Sequence, residues 1–224
     1  MKRLLMLLLL ATAWVEAVIS PLGLNAVDFT DDRNGWIVGD IGQVEGMVMR
    51  TTDGGATWYS TGKVTEFLTD VDLLDDRRGY AVGYGGTVVV TEDGGAKWRT
   101  LRLGDETLNS LQMLDDRTGF VAGSEGVLLR TTDGGLSWER LEVPTKDDLW
   151  RVRFQDSQYG IITGEDGLIL RTEDAGRTWR RLLSGARVAR YDVAFLESRT
   201  LVVGERGTIL ESADSGATWR SIQA

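Results

Sequence analysis

Any catalysis in this chain would have to rest on carboxylates, Tyr, Lys or Arg. It holds 34 Asp and Glu against 25 Lys and Arg, and neither histidine nor cysteine. That removes the usual neutral-pH general base, the Ser-His and Cys-His nucleophile pairs and the commonest zinc ligand. A disulfide framework and a thiolate metal site are excluded with them, and no metal or cofactor is expected. Carboxylates working in pairs hydrolyse glycosides, one as acid and the other as nucleophile or base; here Asp and Glu are abundant, but no local motif marks such a pair. The net charge of −9 argues against a nucleic-acid partner, since that binding rests on cations neutralising phosphates.

The carboxylates that are marked by position belong to a repeat. TTDGGATW from Thr51 recurs as TEDGGAKW from Thr91, TTDGGLSW from Thr131, TEDAGRTW from Thr172 and SADSGATW from Ser212. The closing tryptophans, Trp58, Trp98, Trp138, Trp179 and Trp219, stand 40, 40, 41 and 40 residues apart. Asp53, Asp93, Asp133, Asp174 and Asp214 are placed to accept hydrogen bonds from turn amides, and Gly55 or Gly176 to take a positive φ. Each tryptophan then starts an outer strand, its body filling the gap between units and its indole N–H seeking a partner. The octapeptide is therefore read as a structural staple rather than a catalytic or calcium motif.

Around each staple the order is constant. A hydrophobic strand (AVDF, DVDLL, SLQML, RVRF, DVAFL) leads to an acidic turn, a strand opening on Gly-aromatic, a glycine hairpin, and a third strand entering the octapeptide. In the second unit the strands are expected at about 68–74, 79–83, 87–91 and 97–103. Four strands per period of about 40 residues is the signature of a propeller blade. The fold class is all-β, a β-propeller of about five four-stranded blades, at about 24–62, 67–103, 107–143, 148–184 and 188–222. The fifth unit is worn, with Thr200-Leu201 where Gly35-Trp36 stands in the first.

Alternating loop directions put the acidic turns and octapeptides on one face, and the glycine hairpins with the blade-to-blade connections on the other. The hairpins vary on a fixed frame, which is where recognition is usually written. Asp40, Tyr84, Glu125, Glu165, Asp166, Glu205 and Arg206 are the candidate partner-binding residues, suited to a basic peptide or a polar protein segment. The hairpin from Asp40 to Gly46 is the longest. A second set, Asp28, Asp72, Gln112, Arg153 and Ala194, occupies matching places on the innermost strands and would line the channel, with Arg151 and Arg153 as counter-charges in a structural ion network. Arg50, Arg130 and Arg171 precede three octapeptides, where surface salt bridges are expected.

The pattern [ST]-x-D-x-G-x-[ST]-W resembles the Asp box of bacterial-neuraminidase-type repeats. The longer stretches GWIVGDIG, GYAVGYGGTVVVTEDGGAKW and GFVAGSEGVLLRTTDGGLSW are similar to the photosystem II stability/assembly factor family and its relatives in non-photosynthetic bacteria, over nearly all of the chain beyond residue 17. The resemblance implies a non-enzymatic propeller that binds a protein partner, a membrane-complex subunit or envelope protein, and acts in assembly or stabilisation of such a complex on the lumenal or periplasmic side. That family usually has seven blades, two more than are seen here. The alternative is a glycoside hydrolase of the sialidase or xyloglucanase type; a sialidase would show an Arg-Ile-Pro segment, and neither Pro21 nor Pro144 sits in one.

The opening MKRLLMLLLLATAWVEA has the basic start, leucine run and small-residue exits of a secretory signal, with cleavage after Ala13 or Ala17. Residues 1–17 are thus assigned as signal and 18–224 as propeller, periplasmic or otherwise extracytoplasmic, with no stable membrane span because the apolar run is shorter than the roughly 20 residues a bilayer needs. Trp14 stands 13 residues before Val27, the interval from Trp58 to Val71, and reads in register as one surplus outer strand. A compact five-blade ring is expected, since an open array would expose apolar faces on both terminal blades.

Overall fold

The computed structural model describes residues 22–42, 45–182, 185 and 187–222. The segment assigned as a signal, and Trp14 with it, lies outside the described residues, as do Gln43 and Val44 of the first hairpin. No helix among the described residues is long and apolar enough to cross a membrane.

Twenty strands form five antiparallel four-stranded sheets, each in sequential order. Blade 1 is β1 (Leu22–Phe29), β2 (Gly35–Ile41), β3 (Glu45–Thr51) and β4 (Tyr59–Val64); blade 2 is β5 (Leu68–Leu73), β6 (Gly79–Gly83), β7 (Thr87–Thr91) and β8 (Arg99–Arg102). Blade 3 is β9 (Leu108–Met113), β10 (Gly119–Gly123), β11 (Leu128–Thr131) and β12 (Glu139–Arg140). Blade 4 is β13 (Leu149–Phe154), β14 (Gly160–Gly164), β15 (Ile169–Thr172) and β16 (Arg180–Arg181), and blade 5 is β17 (Arg190–Leu196), β18 (Arg199–Gly204), β19 (Thr208–Ser212) and β20 (Arg220–Ile222). The five expected blades are present.

The two middle strands of an inner blade are buried on both faces, which is why GYAVG and TVVVT are apolar throughout instead of alternating. Their side chains meet those of the next blade in four clusters, one for each of the joints 1|2, 2|3, 3|4 and 4|5. At joint 3|4, for instance, Phe120, Ala122 and Leu128 pack on Leu149 and Val152, and Phe120 stacks on Phe154 with ring centroids 4.5 Å apart. Each such side chain contributes roughly 1.5–3 kcal/mol by leaving water. The glycine opening the second strand leaves room for this packing: a β-carbon on Gly160 would lie 2.8 Å from the Phe154 ring.

No fifth cluster joins blade 5 to blade 1 among the described residues, and β17 does not pack along β1 as each inner strand packs along the next. The expected compact ring is therefore corrected to an open arc with four joints. The position occupied by Val71, Leu111, Val152 and Val193, at most 7% exposed in each, is Val27 in blade 1, which is 57% exposed. Apolar burial alone has not drawn the two ends together.

Candidate functional site

The rim face is built from two polar devices. In the first box Thr51 Oγ1 donates to Asp53 Oδ1 (2.7 Å) and accepts from the Gly55 amide (2.9 Å), while Asp53 accepts from the Thr57 amide (2.9 Å) and hydroxyl (2.6 Å). The same four bonds recur around Asp133, Asp174 and Asp214; around Asp93 three recur, Lys97 offering only its amide. The fifth box, worn in sequence, keeps the geometry because Ser215 takes the left-handed conformation (φ 52°) used by Gly54 in the first. The hydroxyl bonds from Thr57, Ser137 and Thr218, backed by amides, hold Asp53, Asp133 and Asp214 down at about 2. The second device is the acidic turn, where Asp31, Asp75, Asp115 and Asp156 each accept from amides two and three residues on.

Two expectations about the boxes need correction. Only the Trp58 and Trp179 indoles find a partner, the carbonyls of Gly55 and Gly176; those of Trp98, Trp138 and Trp219 are buried without one among the described residues. Packing holds these rings instead, Trp98 against Trp36 of the preceding blade at 5.3 Å. Nor do the arginines before the boxes form surface salt bridges as a group. Arg50 donates across to the Gly94 carbonyl (3.2 Å), Arg130 lies over the Phe120 ring, and only Arg171, which also covers Tyr159, pairs with an acid, Glu173. Strand direction is the reason: third-strand side chains at this place point toward the next blade rather than into water.

On the opposite face, the hairpins of blades 2 to 5 are each pinned to the start of their own blade's inner strand: Tyr84 N to Phe67 O, Ser124 N to Thr107 O, Glu165 N to Asp148 O and Glu205 N to Ala189 O, at 2.8–3.0 Å. An acid just ahead of the inner strand pairs with an outer-strand arginine in three successive blades, Glu66 with Arg102, Glu106 with Arg140 and Asp147 with Arg181. Upon this frame the seven candidate residues fall into separate groups. Asp40 lies against Gly23 of its own blade, and Tyr84 meets the Phe67 ring edge-on at 5.5 Å with half its surface free. The Glu125 amide donates to Asp148 (2.9 Å). Burial first, then repulsion from Asp148, Asp166 and Asp147, raises the Glu165 carboxyl. Glu205 and Arg206 are paired with each other at 3.8 Å.

The channel holds a connected set. Arg151 bridges Asp70 of blade 2 (3.0 Å) and Asp192 of blade 5 (3.1 Å), and Arg153 lies 3.9 Å from Asp70 while donating to the carbonyls of Leu111 and Val152. Inner-strand side chains also clasp the next blade's backbone. Asp28 accepts from Leu73 N, Asp72 from Met113 N and Gln112 from Phe154 N (2.6–2.8 Å); two residues earlier Asp70 accepts from Leu111 N and Ser110 from Val152 N; Asn25, Thr69 and Asn109 donate to the carbonyls of Leu68, Leu108 and Leu149. Burial, reinforced by Asp28, pushes Asp72 up to about 7, and burial raises Asp28. Sequence reasoning missed Asp70 and Asp192; the signal was available, because residues two apart on a strand share a face.

This arrangement offers fixed charges and pinned backbone, and no group of metal-ligating side chains occurs among the described residues. A family model for photosynthesis system II assembly factor YCF48 matches residues 61–148 and again 102–189. Among solved structures the chain is similar to YCF48 bound to D1 peptide (21% identity, TM-score 0.70, covering 89% of this chain and 68% of that one). It is also similar to YCF48 from Cyanidioschyzon merolae (18%, 0.51, 90% and 85%) and to the Niastella koreensis GH74 enzyme (16%, 0.71, 89% and 38%). At these identities the likeness is one of fold. Comparison with curated proteins gives no match.

Proposed function

The chain belongs to the photosynthesis system II assembly factor YCF48 family, and from that membership we propose that it is a non-enzymatic propeller that holds a segment of a membrane-complex subunit during assembly or stabilisation of that complex, on the periplasmic or lumenal side of the membrane. The observation that carries the reading is the hairpin face: Tyr84, Glu125, Glu165, Asp166 and Arg206 are exposed on turns whose backbones are pinned to the inner strands. Turn backbones already held in a rigid frame lose little further entropy on binding. A solved relative carries the D1 peptide, which supports a peptide segment as the kind of occupant. Acidic side chains predominate here, so a segment with basic residues suits the face.

The glycosidase alternative draws on the fold shared with GH74 enzymes. Against it, Asp70 and Asp72 are engaged as clasps between blades, and the hairpin carboxylates Glu125, Glu165 and Asp166 lie exposed, where an acid-base pair has no dry cleft to work in.

Affinity capture from solubilised membranes, comparing the intact protein with a Tyr84→Ser, Glu165→Gln, Asp166→Asn variant, tests the reading. One membrane-complex subunit should be retained by the former and lost by the latter at unchanged melting temperature. Turnover of xyloglucan or sialosides that disappears on replacing Glu125, Glu165, Asp166 or Glu205 would overturn it. Cell fractionation of the tagged chain tests the compartment, and recovery in the cytosol would refute that part.

A further inference from the structure

The second octapeptide departs from the repeat at one place and the third at another. Lys97 stands where Thr57, Ser137, Thr178 and Thr218 stand in the other boxes. The hydroxyl bond that each of those four donates to Oδ2 of its aspartate is therefore missing at Asp93, whose Oδ1 takes the Thr91 hydroxyl and the Lys97 amide. Leu136 stands where the other boxes carry Ala56, Ala96, Arg177 and Ala217. At 65% exposed it is the least covered large hydrophobic side chain among the described residues. Four boxes hold the turn without a lysine at the one place and four without a leucine at the other, so the turn needs neither. Both residues line one rim cavity of about 600 Å³ between blades 2 and 3, with Trp98 and Leu136 as its apolar wall and Glu92, Asp93 and Lys97 as its polar groups. That is the size of a small-molecule site.

The charges around this cavity are uncommitted. Glu92 and Lys97 make no side-chain hydrogen bond or ion pair among the described residues, whereas in two other rim cavities Arg78 is paired with Asp75 and Arg171 with Glu173. Free acceptors and a free donor stand together, so a charged ligand of either sign meets a like-charged neighbour. The cavity suits a neutral molecule that both donates and accepts and carries an apolar face. A pyranose ring has that chemistry, since each hydroxyl does both and its C–H face packs on apolar side chains. We propose that this cavity binds a neutral saccharide, with Asp93 Oδ2 and Glu92 accepting from ring hydroxyls, Lys97 donating to one, and Trp98 and Leu136 covering the ring. The Lys97 amide and the Thr91 hydroxyl hold the Asp93 carboxyl below its usual range, so it serves as an acceptor and not as the acid of a glycosidase. The site lies on the face opposite the hairpins and is independent of the partner proposed above.

Screening the full chain against neutral oligosaccharides of glucose, galactose, mannose and N-acetylglucosamine, followed by calorimetric titration of the best binder, tests this. Lys97→Thr and Leu136→Ala each restore the sequence of other boxes, so the fold is retained. Lys97→Thr should melt no lower than the parent, because it supplies the hydroxyl bond seen at Asp53 and Asp174. Each variant should weaken saccharide binding about tenfold, the loss of roughly one hydrogen bond or one apolar contact. The Tyr84→Ser, Glu165→Gln, Asp166→Asn variant should bind the sugar as the parent does. Binding to none of these sugars, binding that survives either restored box, or binding lost in the hairpin variant overturns the proposal. So does capture of a protein that depends on Leu136 when no sugar binds.

Discussion

The rim and the channel use the same residue for opposite ends. Each box places an aspartate in water with two or three hydrogen bonds to its carboxylate and so keeps it ionised below its usual range; in the channel burial draws Asp28 and Asp72 out of water, and their charged forms are disfavoured. The rim device recurs in all five blades, short of one hydroxyl bond at Asp93. The clasp is not copied around the ring: Asp28 and Asp72 hold the first two joints and Gln112 the third, Arg153 reaches back to Leu111 and Asp70 instead, and the series ends at Ala194. A turn that must only hold itself can be copied without change, whereas a side chain that must also meet its neighbours around a ring is constrained differently in every blade.

The most severe test of this contrast is Asp70→Ala. It removes the acceptor for Leu111 N and leaves Arg151 facing Asp192 alone, and breaking one partner of a nearly buried pair costs about 3 kcal/mol. Chemical denaturation measures it; a loss no larger than that of a box mutant would erase the distinction. Asp133→Ala should come next, lowering the melting temperature by about 2–4 °C, the shift expected of roughly one net hydrogen bond in a chain of this size. Loss of partner capture at unchanged melting would instead make the box a binding element.

The two regions should also separate along the pH axis. Box carboxylates held at about 2 bind fewer protons when folded than unfolded below pH 4, so their stabilisation is present above the unfolded value near 3.8 and is lost as pH falls toward 2. Asp72, raised to about 7, has the opposite sign: the folded state holds the extra proton, and stability declines as pH rises from about 4 through 7. Melting temperature should therefore climb between pH 2 and 4 and fall between 4 and 7, and Asp72→Asn should flatten the second limb only. Persistence of that limb in the variant would mean another group carries it. The smallest effect is expected at Glu165→Gln, an exposed hairpin position, within about 0.5 kcal/mol of the parent; a larger change would make the hairpin part of the scaffold.

Much of this was legible in one chain. The tryptophan spacing counted the blades, the alternation of turn and apolar run placed β5 to within a residue, and the box formula set its aspartates to accept from turn amides, because all of these are decided within some 40 residues of backbone. Gly-aromatic openings signalled the strands that are buried on both faces. Position alone also marked Asp28, Asp72, Gln112 and Arg153 as a series. Reading the arginines before the boxes as solvent-facing failed because strand parity was not followed into the third strand, and the fifth box looked worn because letters rather than φ values were compared.

Tertiary structure decided the rest. Arg151 meets Asp70 across 81 positions of sequence, a contact that exists only because consecutive blades fan around a common axis and carry their inner strands into one channel. The raised carboxyl of Asp72 depends on the burial that this fanning produces. The ends of the arc belong to the same class: the repeat specifies that one blade seats the next, but the angle summed over the blades fixes whether the last reaches the first, and no local pattern encodes that sum.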